Sequence, residues 1–346
     1  MCSGSQEDCI RPCCGLGCSC HASELHVEIT APAMTSAMTS ASASDAAERP
    51  VQRRDFISRT HATSYPYISP LSQDLSGRHV LITGAAWEHG VGYATATAFA
   101  RAGASGIAVI DLHGVSDELV SRLKAAAVDA GRPEPQIIAS KVDISQLDSV
   151  LAFRDVLSEA FNNRLDVVVN NAAHQEPYSS ILDADPDTYW KTWEVNVHGL
   201  FNMTRAFLPM QLATRKNHGG LATMINVSSS GALSVRKGGA SYRTSKLAVL
   251  RWTEALNEEH GEDGLVAFCV NPGAIKTQMT VNEPEELRNK LPHKPEIAGD
   301  TIAWLAGGRR EWLGGRYVSC PWDMEELTAR KDEIVAGDKL KLRMNF

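Results

Sequence analysis

Apolar runs that alternate with amphipathic helical stretches most strongly limit the fold of this 346-residue chain. The pattern begins near Leu75, and its runs are rich in Val, Ile and Leu, as in strands covered on both faces. Seven runs are predicted to be strands: His79–Thr83, Gly106–Asp111, Gln136–Val142, Leu165–Asn170, Ala222–Ser228, Leu265–Asn271 and Arg316–Ser319. Helices are predicted between them over 91–102, 117–130, 146–161, 186–215, 240–259 and 296–306. This alternation indicates a doubly wound, parallel α/β sheet that binds ligands at the carboxyl ends of its strands.

Tyr242 and Lys246 are four residues apart on the predicted helix over 240–259, so their side chains share one face. An ammonium group beside a phenol favours the phenolate, which lowers the tyrosine pKa from about 10 toward neutral. Such a tyrosine can give a proton to a carbonyl oxygen or take one from an alcohol. Alone, this spacing is more typical of an exposed helical pair, so its meaning depends on the neighbouring motifs.

A glycine-rich turn follows the first predicted strand and opens the first helix. It contains Gly84, Gly90 and Gly92, with Val91 at the predicted start of the helix. Glycines let the backbone approach a pyrophosphate, and a helix N-terminus offers amide donors and a positive dipole. The turn is therefore predicted to bind the phosphates of a dinucleotide.

Asp111 ends the second predicted strand, 19 residues after Gly92. A carboxylate at this position accepts hydrogen bonds from the adenosine ribose and repels a 2′-phosphate. The next three residues, 112–114, include no Arg or Lys. These features favour NAD as the cofactor, with NADP as the alternative.

From about Leu75 to Cys320 the chain resembles the short-chain dehydrogenase/reductase family, whose domain is a single Rossmann fold. The motifs stand in the family's order: the glycine turn, Val142-Asp143, Asn170-Asn-Ala-Ala173, Asn196, Ser228–Ser230, the Tyr242 and Lys246 pair, and Asn271-Pro-Gly-Ala-Ile-Lys-Thr277. One departure is that five residues, instead of the usual three, separate Gly84 from Gly90. Within this longer turn Glu88 disfavours an additional phosphate, whereas His89 favours one.

The resemblance implies further cofactor contacts for this chain. Asp143 is expected to meet the adenine amino group, and Asn170 to line the adenine ribose and brace the central strands. Ile275 and Thr277 are expected to bind the nicotinamide carboxamide.

The resemblance also implies catalytic roles. Ser229 is expected to donate a hydrogen bond to the substrate oxygen, and Ser228 is the alternative. Tyr242 is expected to transfer the proton, while Lys246 lowers its pKa and holds the nicotinamide ribose. Asn196 is expected to hold a water that links Lys246 to solvent.

These expectations describe an NAD(P)-dependent oxidoreductase that interconverts a ketone or aldehyde with an alcohol. Two alternatives use the same motifs: a lyase or epimerase, and a cofactor-sensing module without turnover. The resemblance extends to fungal members that are often tied to secondary metabolism. It also implies a homodimer or homotetramer that pairs through the helices over 186–215 and 240–259. Residues 278–295 are expected to form a lid over a small-molecule carbonyl or alcohol substrate.

Charge and hydropathy bear on the other partners. The formal net charge is −7 and no long basic run occurs, which argues against nucleic acid. There is no stretch of 18 apolar residues, so no membrane-spanning helix is predicted. A reducing, cytoplasmic location is expected.

Six of the eight cysteines lie between Cys2 and Cys20. Their spacing matches no standard zinc module, so no metal site is predicted, although a metal cluster, S-acylation or thiol reactivity stays open. Residues 1–75 are predicted to be a disordered arm, within which residues 65–70 are a candidate docking segment. The folded domain is predicted over 76–322 and a helical extension over 323–346.

Overall fold

The chain forms one seven-stranded parallel sheet flanked by helices, in a computed structural model that describes residues 56–282 and 285–344. The strands are β1 His79–Thr83, β2 Gly106–Asp111, β3 Gln136–Lys141, β4 Val167–Asn170, β5 Thr223–Val227, β6 Val266–Asn271 and β7 Tyr317–Ser319. Their order is β3-β2-β1-β4-β5-β6-β7, and every neighbouring pair is parallel. The predicted doubly wound α/β fold is confirmed, and each predicted strand is present within two residues of its predicted ends.

The longer helices follow the predicted positions with one exception. The helices are α1 Val91–Arg101, α2 Asp117–Asp129, α3 Leu147–Ala160, α4 Pro186–Trp193, α5 Gly199–His218, α6 Ala240–His260, α7 Glu285–Arg288, α8 Pro295–Ala306, α9 Met324–Ala329 and α10 Lys331–Ala336. The single helix predicted over 186–215 is wrong, because a π-helical segment, Glu194–His198, separates α4 from α5.

The two faces of the sheet bury different sets of side chains, as the alternation of a strand requires. On β1, Val80 and Ile82 join the cluster that includes α1 and α8, whereas Leu81 joins the cluster that includes α3 and α5. Helices α1 and α8 pack closely, since a Cβ at Gly299 would lie 2.5 Å from the carbonyl oxygen of Ala94.

Strand β3 departs from the prediction that every strand is covered on both faces. Its residues are exposed or half-buried throughout. The physical reason is its position at the edge of the sheet, where it pairs only with β2.

Residues 56–75 belong to the folded domain, which corrects the predicted disordered arm up to residue 75. Ile57, Ile68 and Leu75 are fully buried in the core cluster that contains α8. Thr60 forms an antiparallel bridge with Trp322. The apolar residues of this stretch follow neither a helical nor a strand period, so the sequence indicates docking only for the segment over 65–70. The rest of the predicted arm, with the cysteines between Cys2 and Cys20, lies outside the described residues.

The C-terminal extension is helical over α9 and α10 and packs on its own domain. Met324, Leu327 and Ile334 are buried in the same core cluster as β1 and α8. Among the described residues, no helix combines the length and hydropathy needed to cross a membrane.

Candidate active site

Polar residues end or follow successive strands at one edge of the sheet. They are Asp111 at the end of β2, Asp143 after β3, Asn170 at the end of β4, Ser229 after β5 and Asn271 at the end of β6. Because all the strands are parallel, their carboxyl ends lie along the same edge. The topology therefore brings the predicted cofactor and catalytic motifs to one side of the domain.

The glycine turn is a close contact between two stretches of backbone. Gly84 has a φ of +73°, and a Cβ at Gly92 would lie 2.2 Å from the carbonyl oxygen of Gly84. That carbonyl accepts a hydrogen bond from Asn171 Nδ2 at 3.0 Å. Gly90 is the N-cap of α1, which starts at Val91, and brings no capping side chain. The amide donors at the start of α1 are thus available to an anionic ligand.

Asp111 is buried, and its carboxylate fixes the two loops beside it. One oxygen accepts from the backbone N–H of Ala86 at 3.1 Å, and the other from that of His113 at 3.0 Å. A cavity of about 490 Å³ opens next to it and is lined by Ala86, Trp87, His113, Gly114, Val115 and Ser116. The glycine turn and the loop after Asp111 therefore line one cavity, and the Asp111 carboxylate holds both through its hydrogen bonds.

Arg122 is a residue that the sequence analysis missed at this end of the site. It lies on α2 and forms ion pairs with Glu88 of the glycine turn and with Glu118. The sequence pattern offers as phosphate partners only the residues directly after Asp111 and His89 of the glycine turn. The two carboxylates balance the positive charge of this arginine, and they raise its pKa further.

The other predicted cofactor residues occupy the loops after β3, β4 and β6. Asp143 accepts hydrogen bonds from the backbone N–H and the hydroxyl of Ser145. Asn170 donates to Asn226 Oδ1 at 2.8 Å and so joins β4 to β5, whereas its own Oδ1 is buried without a hydrogen-bond partner among the described residues.

Ile275 and Thr277 lie in the loop that follows β6. Ile275 is buried and forms a parallel bridge with His293, while the Thr277 N–H donates to Thr280 Oγ1. The loop is thereby connected to the far end of the predicted lid.

The two candidate serines have different environments. Ser228 is buried, and its hydroxyl donates to the backbone carbonyl of Lys246 at 2.7 Å. Ser229 is half-buried, and its hydroxyl accepts from the N–H of Gly231 at 3.0 Å. The proton of the Ser229 hydroxyl is therefore free of that contact and can be donated elsewhere.

Lys246 is buried beside Tyr242 on α6. Its Nζ lies 5.8 Å from the centre of the Tyr242 ring and donates to the carbonyl oxygen of Val227 at 2.8 Å. Burial lowers the pKa of Lys246 to about 8, an effect that the neighbouring Cys269 thiol opposes. With a pKa of about 8 the amine stays largely protonated at neutral pH, next to a phenol that is half-buried.

Asn196 lies within the π-helical segment and is almost fully bonded to protein. Its Nδ2 donates to the carbonyl of His174 and to Ser245 Oγ, both at 2.9 Å, and its Oδ1 accepts from the His174 N–H at 2.8 Å. Contacts outside the helix therefore use both amide protons, which leaves one lone pair of Oδ1 for a water.

Glu176 and Thr192 near Tyr242 were also missed. Glu176 is 4% exposed, and both carboxylate oxygens accept from the backbone N–H of Tyr242. No local pattern marks this residue; the only signal is Gly239, which precedes α6 and cannot cap it with a side chain.

No cluster of three or more potential metal ligands occurs in the part of the chain that the structure describes.

Comparison with known proteins places this arrangement in a family. The family model described as short chain dehydrogenase matches residues 78–288. Short chain dehydrogenase citE of Monascus ruber is 41% identical over 289 residues, which cover 84% of this chain and 96% of that protein. Short chain dehydrogenase andI of Emericella variicolor is 36% identical, with 85% and 97% covered.

Solved structures agree with the family and the fold. A 3-ketoacyl-(acyl-carrier-protein) reductase from Brucella melitensis, complexed with NADH, superposes with a TM-score of 0.61 at 25% identity, covering 71% of this chain and 97% of that one. A short chain dehydrogenase from Shigella flexneri, complexed with NADP, gives a TM-score of 0.60 at 25% identity, covering 72% and 99%. The chain therefore belongs to the short chain dehydrogenase family of oxidoreductases.

Proposed function

We propose that this protein is an NAD(P)-dependent oxidoreductase that interconverts a ketone or aldehyde with the corresponding alcohol, with Tyr242 as the proton donor and acceptor. The observation that carries this proposal is the buried amine of Lys246 beside the Tyr242 ring. A lysine is expensive to bury, and such groups with shifted pKa values are concentrated at functional sites.

The residues at the carboxyl edge fit a nicotinamide dinucleotide. The Gly84–Gly92 contact leaves no room for a Cβ, Gly90 leaves the start of α1 without a side-chain cap, and Asp111 stands beside the adjoining cavity. Related structures are described as complexes with NADH or NADP. When bound, such a cofactor supplies or accepts the hydride.

The preference for NAD rests on charge at the adenosine end. Asp111 places a carboxylate at the end of β2, and Arg122 is already paired with Glu88 and Glu118. These carboxylates would repel a 2′-phosphate. Lys141, which is in register with Asp111 and lies beside Gly114 of the cavity, is the cation that favours the NADP alternative. NADP stays the alternative cofactor.

The proton chemistry belongs to side chains on β5 and α6. The half-buried Ser229 hydroxyl donates to the substrate oxygen and stabilises its developing charge. Tyr242 gives its proton to that oxygen during reduction and takes it back during oxidation. Lys246 favours the phenolate electrostatically, because an adjacent ammonium group stabilises negative charge. Asn196, with one free acceptor, holds the water that connects this lysine to solvent.

The relatives in Monascus ruber and Emericella variicolor match this chain over nearly their whole length. A small-molecule substrate in fungal secondary metabolism is accordingly part of the proposal. Assembly as a homodimer or homotetramer and a cytoplasmic location stay predictions.

The test is a nucleotide titration followed by an activity screen. Intrinsic tryptophan fluorescence, with Trp87 at the cavity wall, reports the binding of NADH and NADPH. Absorbance at the nicotinamide band then follows consumption with a panel of ketones, aldehydes and polyketide-like carbonyls. We expect tighter NADH binding and substrate-dependent consumption. Tight nucleotide binding without nucleotide consumption in the presence of any carbonyl would instead favour the cofactor-sensing module. Product formation without net consumption of the nucleotide would favour a lyase or epimerase.

A further inference from the structure

Helix α6 begins without a capping side chain of its own. Its N-cap residue is Gly239, which has a φ of +65° and no side chain to accept hydrogen bonds. The first amides of any α-helix lack intrahelical partners and are usually capped by Ser, Thr, Asp or Asn. Tyr242 is the third residue of α6, so its N–H is one of these donors.

Glu176 supplies the missing acceptor from a distant loop. Its carboxylate oxygens lie 3.1 and 3.0 Å from the Tyr242 nitrogen, 66 residues away in sequence. The side chain is buried, and a negative charge at a helix N-terminus is stabilised by the helix dipole. The loop after β4 therefore caps the helix that carries the catalytic tyrosine.

The same carboxylate is anchored on α4. Thr192 Oγ1 donates to Glu176 Oε2 at 3.2 Å and lies 3.0 Å from His174 Nδ1. The Thr192 hydroxyl has one proton, which it donates to the Glu176 carboxylate. Its oxygen is then an acceptor toward His174, so the Nδ1 atom of His174 is assigned as the donor to Thr192.

The chain of hydrogen bonds then returns to Tyr242. The backbone of His174 exchanges two hydrogen bonds with the amide of Asn196, which donates to Ser245 Oγ at 2.9 Å. Ser245 Oγ donates to the carbonyl oxygen of Tyr242 at 2.8 Å. Both backbone groups of Tyr242 thus belong to one closed ring of hydrogen bonds.

We propose that Glu176 is a positioning residue for Tyr242: its carboxylate anchors the tyrosine backbone N–H and closes the ring that runs through Thr192, His174, Asn196 and Ser245. This inference rests on the proposed function of Tyr242. Small displacements of a reacting group reduce rates strongly, by about 10²-fold for 1 Å. Loss of the anchor should therefore reduce kcat more than it affects nucleotide binding at the opposite end of the cleft.

The test compares three substitutions of Glu176. Glu176→Ala removes both acceptors, and we expect kcat to fall about tenfold or more with the nucleotide KM within about twofold of wild type. Glu176→Gln keeps one acceptor oxygen and should restore kcat to within about threefold. Glu176→Asp keeps the charge, but its side chain is too short to contact the Tyr242 N–H, so its kcat should resemble that of the alanine variant. It replaces the alanine variant in the test if that variant does not fold.

Asp185→Ala is the matched control, because Asp185 caps the neighbouring helix α4 by accepting from the Thr188 N–H at 2.8 Å. It removes a helix-capping carboxylate without touching Tyr242, so kcat should stay within about twofold. The proposal would be overturned if Glu176→Ala kept the wild-type kcat. It would also be overturned if Glu176→Gln failed to restore kcat and the nucleotide KM rose by as large a factor as kcat fell.

Amide hydrogen exchange gives a readout that needs no turnover. The Tyr242 amide should be protected in wild type and Glu176→Gln, and exposed in Glu176→Ala. Equal protection in all three proteins overturns the anchoring role whatever the reaction is. Full activity in Tyr242→Phe would instead overturn the proposed function and leave the exchange result intact, so the two failures are distinguishable.

Discussion

The Nζ atom of Lys246 lies 5.8 Å from the centre of the Tyr242 ring and 2.8 Å from the carbonyl oxygen of Val227. The end of β5 thus holds the amine, and the first turn of α6 holds the phenol. Such an arrangement fixes the two groups relative to each other through backbone elements instead of flexible loops.

The buried amine of Lys246 should leave a signature in the pH dependence of stability. Its pKa is about 8 in the folded protein and 10.5 in an unfolded chain, so between these values the unfolded state binds more protons. Stability therefore rises with pH across this window. Relative to Lys246→Met, the free energy of unfolding of wild type should increase by something on the order of 3 kcal/mol between pH 8 and 10.5. Urea unfolding at several pH values measures the free energy of unfolding of both proteins. A difference in this free energy that stays constant with pH would contradict the prediction.

The two serines after β5 should respond differently to removal of the hydroxyl. Ser229→Ala should lower kcat by about 10²-fold with little change in stability, since this half-buried hydroxyl is proposed to face the substrate. Ser228→Ala deletes a buried hydrogen bond to α6 and should cost about 1 kcal/mol of stability, with a smaller effect on kcat. Steady-state kinetics and thermal unfolding of the pair separate the roles. A larger kcat loss in the Ser228 variant would reverse the assignment.

Gly92→Ala should disrupt the phosphate turn. The new Cβ would lie 2.2 Å from the Gly84 carbonyl oxygen, and neither backbone can yield without moving the turn. We expect at least a tenfold loss of nucleotide affinity and about 1–3 kcal/mol of destabilisation. Gly308→Ala is the control, because Gly308 lies outside the phosphate turn and the closest atom to its Cβ, 3.2 Å away, is the end of the flexible Arg310 side chain. Fluorescence titration of both variants tests this; equal affinities would show that the contact does not shape the site.

The sequence was sufficient to predict the strands of the sheet and the edge of the sheet where the candidate site lies. Strands such as β2 are continuous apolar runs, and the residues that follow them are set by the parallel topology. Tyr242 and Lys246 lie close together on α6, as their spacing of four residues predicts.

What could not be predicted depends on contacts between residues far apart in the chain. Asn196, within the π-helical segment, bonds to His174, 22 residues away, and Glu176 caps α6 at Tyr242, 66 residues away. Neither contact leaves a local periodicity. The same holds for Ile57, which is buried in the core cluster, whereas Ile68 lies in the predicted docking segment over 65–70, which packs on α8.

The Tyr242 hydroxyl is proposed to transfer the proton, and the Tyr242→Phe substitution isolates this step. The substitution removes one oxygen atom and leaves the backbone ring of hydrogen bonds in place. Single-turnover loss of reduced nicotinamide absorbance, with the best carbonyl found in the screen, should slow by about 10²–10⁴-fold while NADH affinity stays within about twofold. A variant that keeps more than about a tenth of the wild-type rate would contradict the claim.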